Sequence, residues 1–312
     1  MRPLSRREFL RASSASALGL IAVACGGNGS KGSGSKTLND VIGGRPQSVQ
    51  VISAGFETFS GTLQRVVFGL IDPSTGQPMN GGAGRAWTSL ERDTEALGPF
   101  DLTFRGEGLG ARGVFVAQMT FPTDGTYLIV IEATPQGGGD ALLGATQLVV
   151  GPATNMPKPG DEAILVATPT FDDPRGVDPI CTLEPPCSMH AQSLDAVLGK
   201  DTPTVVIIAT PRFCTSALCG PEVEIVDEVS KAFSERVNFV HIELLKDDSN
   251  ETAEQWAQNP TPALFSPGAS EWRVEQEPVI YFIDGSGTIT DRVIGPFDRA
   301  EAREKVEGLA GA

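Results

Sequence analysis

Residues 204–221 read TVVIIATPRFCTSALCGP, so two cysteines follow directly after a continuous apolar run. Such a run, without polar alternation, is typical of a strand that is buried on both faces of a sheet. After Pro221, apolar residues recur at spacings of two to four as far as Phe233, which predicts a helix with one apolar stripe. Cys214 and Cys219 are therefore predicted to lie between a buried strand and the helix that follows it.

The spacing of the two cysteines constrains this connection. In an unbroken helix, residues five positions apart are separated by about 140° around the axis and about 7.5 Å along it. A disulfide requires Cα atoms within about 4.4–6.8 Å, so residues 215–218 must form a loop if the pair is bonded. Pro221 suits the first turn of a helix, which places Cys219 close to the helix N-terminus, where unpaired N–H groups and the dipole stabilise a thiolate.

The remaining elements of this half are predicted from the same kinds of pattern. Residues 237–245 form a second buried strand, and residues 278–294 form two strands around a Gly-Ser-Gly turn. Asp298 and Glu301 have the spacing of a capping box, which opens a last helix. The predicted order is strand, cysteine pair, helix, strand, hairpin and helix.

This order resembles the thioredoxin family over Cys187–Ala312, and the resemblance implies an α/β thioredoxin-like fold. In that family the proline that faces the cysteines is cis, and Pro278 takes its place here. The resemblance also implies that Glu277, the preceding residue, offers backbone hydrogen bonds to an extended peptide substrate.

A closer resemblance is carried by the pattern ATP-x-FC-x4-CGP, with FVH in the next strand. This pattern is similar to that of a group of exported bacterial thioredoxin-domain lipoproteins, which also carry a preceding β-sandwich and an upstream cysteine pair. The chain departs from the wider family in two ways. Four residues rather than two separate Cys214 from Cys219, and Ile208 stands where many thioredoxins bury an acid.

The resemblance implies thiol-disulfide exchange, with Cys214 as the attacking thiol and Cys219 as the resolving thiol. Substrates would be exported proteins that carry thiols or disulfides, and neither a cofactor nor a metal is expected. Which cysteine attacks first stays open. The alternative is a non-catalytic binding or copper-handling module in which this pair is a structural disulfide.

The first half of the chain has a different pattern. Short β-branched runs lie at residues 48–54, 64–71, 127–133 and 146–150, and residues 114–121 alternate in polarity. They are separated by turn clusters, and helical periodicity is lacking. We therefore predict an all-β, immunoglobulin-like sandwich ahead of the thioredoxin-like fold.

The N-terminus carries the features of an export signal. Arg6 and Arg7 precede Phe-Leu and a short apolar stretch, which resembles a twin-arginine signal, although an ordinary secretory signal is the alternative. Cys25 follows small residues as in a lipobox, which implies a lipid anchor outside the cytoplasm; a signal-peptidase site with an incidental cysteine stays open. The predicted organisation is a signal at 1–25, a flexible tether at 26–46, the sandwich at 47–151, a Pro/Gly-rich linker at 152–186 and the thioredoxin-like domain at 187–312.

Cys181 and Cys187 are the other cysteine pair. In an exported protein a second disulfide is the simplest use for them, structural or trading electrons with the first pair. Four thiols spaced C-x5-C and C-x4-C do not match a zinc finger or ribbon. Of the two histidines, His190 follows Cys187 closely, and His241 is expected to be a packed strand residue. Thioredoxin-like copper chaperones use two cysteines and a histidine, so a copper site is the rival.

Composition excludes one class of partner. The chain has 24 Lys and Arg against 39 Asp and Glu, a formal net charge of −15. A surface this negative repels phosphate backbones, so nucleic-acid binding is not expected.

Overall fold

The computed structural model describes residues 36–55, 57–214 and 218–311, and the chain from Lys36 onward forms one compact unit. Arg6, Arg7 and Cys25, which carry the predicted export signal and lipid site, lie outside the described residues. The same holds for residues 215–217 of the predicted loop between the cysteines. Within the described part, no helix combines the length and apolar character that a bilayer-spanning segment needs.

The N-terminal part is all-β, with seven antiparallel strands hydrogen-bonded in the order β1-β2-β5-β4-β3-β6-β7. Strand β4 joins two groups of strands, because its first residues pair with β3 and its last residues pair with β5. The N–H groups of Ser48 and Val49 donate to the Leu143 carbonyl at 2.8 and 3.3 Å, so the first and last strands approach each other. The strands are β1 Gln50–Ser53, β2 Leu63–Ile71, β3 Gly81–Ser89, β4 Leu97–Arg105, β5 Val114–Thr120, β6 Gly125–Pro135 and β7 Leu142–Val150.

One core fills the space between the two groups of strands. It includes Phe68 from β2, Phe115 from β5, Ile129 from β6 and Leu148 from β7, all of which are buried. The alternation of residues 114–121 correctly indicates one buried face, because Phe115, Ala117, Met119 and Phe121 all lie in this core. The runs that carry Phe68, Ile129 and Leu148 are apolar without such alternation.

A short helix precedes these strands, in a region predicted to be part of a flexible tether. Helix α1 spans Leu38–Ile42, and its N-terminus is closed by Thr37 and Asp40, whose side chains each bond the other residue's backbone N–H. Leu38 is 1% exposed and packs against Val130 and Leu143. The described part of the 26–46 segment is therefore folded onto the β domain.

The C-terminal part has the strand order and connections of a thioredoxin fold. Its sheet is ordered β11-β10-β8-β9, with β8 parallel to β9 and antiparallel to β10, and with β10 and β11 forming the predicted hairpin. The strands are β8 Thr204–Ala209, β9 Asn238–Glu243, β10 Val279–Ile283 and β11 Ile289–Ile294. The helices are α2 Leu194–Val197, α3 Cys219–Phe233, α4 Asn250–Gln258, α5 Pro267–Glu271 and α6 Arg299–Ala310, with a 3-10 turn at Pro262–Leu264.

Strand β8 lies at the centre of this sheet and is buried along its whole length, as predicted. Successive side chains of a strand point to opposite faces. Ile207 accordingly joins the core formed with α3 and α6, whereas Ile208 joins the core formed with α2 and α4.

The predicted linker, residues 152–186, is irregular in secondary structure but packs on the C-terminal sheet. The Gly160 and Ala163 N–H groups donate to carbonyls of Ile289 and Gly287, and the Ile289 N–H donates to the Asp161 carbonyl. Thr168 and Val177 are 0% and 1% exposed. Pro and Gly make this segment irregular, but residues 160–163 bond the backbone at the start of β11, and other parts of the segment are buried.

Several ion pairs join the β domain to the C-terminal domain, and two of them are largely buried. Arg65 of β2 bonds both carboxylate oxygens of Glu301 in α6, at 2.7 and 2.8 Å. Arg292 of β11 pairs with Glu57, and both side chains are 7% exposed. The two domains are thus connected by contacts that exclude most water.

Candidate functional site

Cys214 and Cys219 are joined by a disulfide, with their Cα atoms 5.9 Å apart. Cys214 follows the end of β8, and Cys219 is the first residue of α3. Leu218 immediately precedes the helix, so the predicted position of Cys219 at a helix N-terminus is confirmed. The chain therefore places a bonded cysteine pair where a buried strand gives way to a helix of 15 residues.

The two sulfurs differ in their access to solvent. Cys219 is 0% exposed and belongs to the core between the sheet and α3, whereas Cys214 is partly exposed. Cys214 is therefore the more accessible of the two cysteines. Attack at Cys214 would make Cys219 the leaving group, at the helix end where N–H groups stabilise negative charge.

Three contacts hold the segment that leads to Cys214. The Thr210 N–H donates to Glu277 Oε2 at 2.8 Å, and Trp256 Nε1 donates to the Phe213 carbonyl at 3.2 Å. The Arg212 N–H donates to the hydroxyl of Thr182 at 3.2 Å, which ties this segment to the region around Cys181. The position of Cys214 is therefore fixed from three separate parts of the chain.

Glu277 lies beside the disulfide, and Pro278 follows it in the chain. The Glu277–Pro278 peptide is cis, as the thioredoxin resemblance implies. A carboxylate oxygen of Glu277 and the sulfurs of Cys214 and Cys219 all lie within 4.8 Å of one another. We expected only the backbone at Glu277 to matter, and the position of its carboxyl group is a feature that the sequence reasoning missed.

A second buried acid lies one turn into α3. Glu222 is 0% exposed, and its Oε1 accepts a hydrogen bond from the Phe297 N–H at 3.0 Å. Burial raises the pKa of this carboxyl well above its usual range, and the bond from Phe297 opposes that shift only in part.

Cys181 and Cys187 form a second thiol pair and are not bonded to each other, which differs from the predicted second disulfide. Their sulfurs are 3.7 Å apart and both residues are 3% exposed. The Cys187 N–H donates to the Cys181 sulfur at 3.4 Å. The pair is thus a buried dithiol rather than a small-loop disulfide.

Both histidines of the chain lie against this dithiol. His241 Nδ1 is 3.4 Å from the Cys187 sulfur and 3.0 Å from His190 Nε2. His190 and His241 are 1% and 0% exposed, so His241 is packed in its strand as predicted, but it packs against polar groups. All four side chains place one ligand atom within 4.8 Å of each of the others. The spacing of these four residues in the sequence does not indicate that they meet.

The electrostatics of this cluster follow from burial and from bonds to sulfur. The hydrogen bond between the two sulfurs lowers the pKa of Cys181, helped by the two histidines, and the same bond raises the pKa of Cys187. Burial lowers the pKa of His190. Burial alone would also lower the pKa of His241, but its bond to Cys181 and the negative charge there raise it overall.

No family model matches this chain, and no curated protein matches it. Among solved structures, a thioredoxin-family thiol:disulfide interchange protein from Chlorobium tepidum is 16% identical, over 51% of this chain and 100% of that chain, with a TM-score of 0.32. StoA from Bacillus subtilis is 19% identical over 34% of this chain and 84% of that chain, with a TM-score of 0.26. An exposed lipoprotein thioredoxin from Streptococcus pneumoniae is 14% identical over 36% of this chain and 87% of that chain, with a TM-score of 0.28. These similarities are low, and the thioredoxin arrangement of this chain rests on its own strand order and connections.

Proposed function

We propose that this protein is a membrane-anchored, extracytoplasmic thiol-disulfide oxidoreductase that acts through Cys214 and Cys219. The observation that carries the proposal is the asymmetry of the pair: a partly exposed Cys214 is bonded to a fully buried Cys219 at a helix N-terminus. Such a pair has one sulfur that a partner can reach and one that serves as leaving group or resolving thiol.

In the oxidising direction, a substrate thiolate attacks the sulfur of Cys214. The Cys214–Cys219 bond breaks, a mixed disulfide forms at Cys214, and Cys219 leaves as a thiolate. A second thiolate of the substrate then attacks the substrate sulfur of the mixed disulfide. This step yields a substrate disulfide and releases the Cys214 thiolate. In the reducing direction the same steps run backwards, and the Cys214 thiolate attacks a substrate disulfide.

Glu277 is the group we assign to proton transfer at this pair. Its carboxylate is close to both sulfurs, and it is held by the Thr210 N–H. It can accept the proton when the Cys219 thiol is to become a resolving thiolate, and return it when Cys219 leaves. Glu277 would thus take the role of the acid that many thioredoxins carry at the position of Ile208.

The test measures insulin reduction and disulfide formation in a reduced peptide, using the full chain in detergent. Cys214→Ser should abolish both activities, while Cys219→Ser should accumulate a mixed disulfide with substrate at Cys214. Cys25→Ser is the matched cysteine control and should leave the rate of exchange unchanged.

Two results would refute the enzymatic proposal. One is full activity of Cys214→Ser. The other is a reduction potential of the pair below about −300 mV, which is typical of a permanent structural disulfide. Either result would favour the alternative, a non-catalytic module on the same fold.

The cellular location is part of this proposal. We propose that Arg6 and Arg7 direct export through the twin-arginine route, that Cys25 is lipidated, and that the β domain is an immunoglobulin-like sandwich that separates the redox domain from the membrane. Partners would be exported proteins with thiols or disulfides. Radiolabelled palmitate should be incorporated into wild-type protein in cells and not into Cys25→Ser; labelling of the variant would contradict the anchor.

A further inference from the structure

The cluster of Cys181, Cys187, His190 and His241 has the dimensions of a tetrahedral metal site. Zn–S bonds of about 2.3 Å and Zn–N bonds of about 2.0–2.1 Å place tetrahedral ligand atoms about 3.8 Å apart for two sulfurs, about 3.5 Å for sulfur and nitrogen, and about 3.3 Å for two nitrogens. The corresponding separations here are 3.7, 3.4 and 3.0 Å. Three of the six separations thus match those of a tetrahedral site, and the remaining pairs of donor atoms all lie within 4.8 Å of one another.

The surroundings of His241 select the nitrogen that faces the cluster. Its Nε2 is 3.2 Å from the Ala209 carbonyl oxygen, which can only accept a hydrogen bond. Nε2 therefore carries the proton, and the lone pair of a neutral ring lies on Nδ1, directed toward Cys187 and His190. A histidine that donates its outer N–H to a carbonyl is the usual arrangement for a metal ligand.

The segment that supplies the other three donors is held in place independently of them. The N–H and hydroxyl of Ser188 both donate to Asp227 of α3, at 2.7 and 2.6 Å. The His241 N–H donates to the Met189 carbonyl at 3.1 Å, which joins the segment to β9. The N–H and hydroxyl of Thr182 both donate to Glu243 Oε2, each at 2.9 Å. The donor set is thus pre-organised on both sides of Cys187.

We propose that Cys181, Cys187, His190 and His241 together bind one Zn²⁺ ion in a closed, four-coordinate site. Two thiolates balance the charge of a divalent ion and the two imidazoles are neutral, so the loaded site carries no net charge. With Cu⁺ the same ligands would leave a net charge of −1, which is costly in a site where every ligand is at most 3% exposed. Binding to the reduced dithiol releases the protons that the two cysteines still carry, and no electron is transferred.

The proposed ion would be structural rather than catalytic, because four protein ligands leave no open position. It would fasten the irregular segment around Cys181 to β9. The Thr182 hydroxyl of that segment also accepts a hydrogen bond from the Arg212 N–H, two residues before Cys214. The site is separate from the exchanging pair, so its existence does not depend on the oxidoreductase proposal.

The first test measures metal in the full chain, purified without chelators and under reducing conditions. We expect one equivalent of zinc by elemental mass spectrometry, lost in Cys187→Ser and in His241→Ala. The double variant Cys214→Ser/Cys219→Ser is the matched control and should keep one equivalent. Zinc retained in Cys187→Ser or in His241→Ala, or zinc lost from this control, would overturn the assignment of ligands.

A second test uses the wild-type chain, in case the ligand variants fail to fold. After removal of the ion with a chelator, Co²⁺ should restore one equivalent and give the thiolate-to-metal charge-transfer absorption of a two-cysteine site. Bound Zn²⁺ should protect Cys181 and Cys187 from alkylation. Three results would each overturn the proposal: no uptake of Zn²⁺ or Co²⁺ by the reduced protein, stoichiometric Cu⁺ in place of zinc when both are offered, or a Cys181–Cys187 disulfide in freshly isolated protein.

Discussion

Replacing Arg65 by methionine removes the cation from the bidentate ion pair that joins β2 to α6. The guanidinium donates to both oxygens of Glu301 and to the Pro296 carbonyl. The Arg65 and Glu301 side chains are 12% and 8% exposed, so water cannot replace these bonds after the change. Arg65→Met therefore leaves a carboxylate that is nearly buried and unpaired.

The expected loss follows from that geometry. Removing one partner of a buried pair costs about 3–5 kcal/mol, whereas replacing both partners by apolar residues of similar size is close to neutral. Arg65→Met should thus lower the free energy of unfolding by about 3–5 kcal/mol, and Arg65→Met/Glu301→Leu should recover most of this loss. The coupling energy between the two positions should therefore be at least as large as the loss that the double variant recovers.

Urea denaturation of the full chain measures these free energies through the midpoint and slope of the transition. Arg303 and Glu307 provide the control, because they form a 3.0 Å pair on the same helix but are 59% and 55% exposed. Arg303→Met should cost about 0.5 kcal/mol or less. If Arg65→Met costs no more than this control, or if the double variant loses the sum of the two single losses, the reasoning about the buried pair is refuted.

Three further predictions concern single residues. Glu277→Gln keeps an acceptor for Thr210 but cannot transfer a proton, so insulin reduction should slow by about 10²-fold or more with an unchanged circular dichroism spectrum; an unchanged rate would remove Glu277 from the mechanism. Burial raises the pKa of Glu222, so folding favours its protonated form. The contribution of this protonated carboxyl group to stability is complete below the unfolded pKa of about 4.3 and is lost as the pH rises through the folded pKa. The free energy of unfolding of Glu222→Gln, relative to that of wild type, should therefore be higher at about pH 8 than at about pH 5. The exposed Glu224→Gln on the same helix should show no such difference, and urea titrations at the two pH values measure both. Leu38→Ala should lower the free energy of unfolding by about 2–3 kcal/mol in the same assay, and a loss near zero would mean that α1 does not stabilise the β domain.

Much of the C-terminal fold could be predicted because its elements carry local signals. The uninterrupted apolar run of β8, the Gly-Ser-Gly turn of the hairpin and the Asp298 cap each depend on neighbours in sequence. The Asp298 side chain accepts from the Glu301 N–H as the capping box predicts, although the Glu301 carboxylate pairs with Arg65. One half of that motif was therefore taken over by a tertiary contact.

Strands β3 and β4 were not predicted, and for β3 the reason is its glycines. Glycine is disfavoured in strands, and β3 begins with several glycines. A Cβ at Gly81 would lie 2.4 Å from the Phe115 ring, and one at Gly84 would lie 2.8 Å from the Glu132 carbonyl. These residues are glycine because other strands approach closely there, and a single sequence does not reveal that approach.

The cysteine–histidine cluster could not be predicted for a related reason. Cys181, Cys187 and His190 are near one another in sequence, but their spacing matches no familiar metal-binding pattern. His241 is about fifty residues further on, and it reaches the cluster only because β9 packs beside β8 with His241 opposite Ile207. The position of the Glu277 carboxyl group beside the disulfide could not be predicted either, since it depends on the hydrogen bond from the distant Thr210 N–H.

The packing of residues 160–163 along β11 has a practical consequence for anyone who divides this protein into parts. Strand β11 is the outermost strand of its sheet, and these residues cover the beginning of its open side through Gly160, Asp161 and Ala163. A fragment that started at Cys187 would expose this edge of β11. Two copies could then associate through the unpaired backbone groups of the edge. An autonomous C-terminal piece should instead start near Met156, which is itself buried in the core.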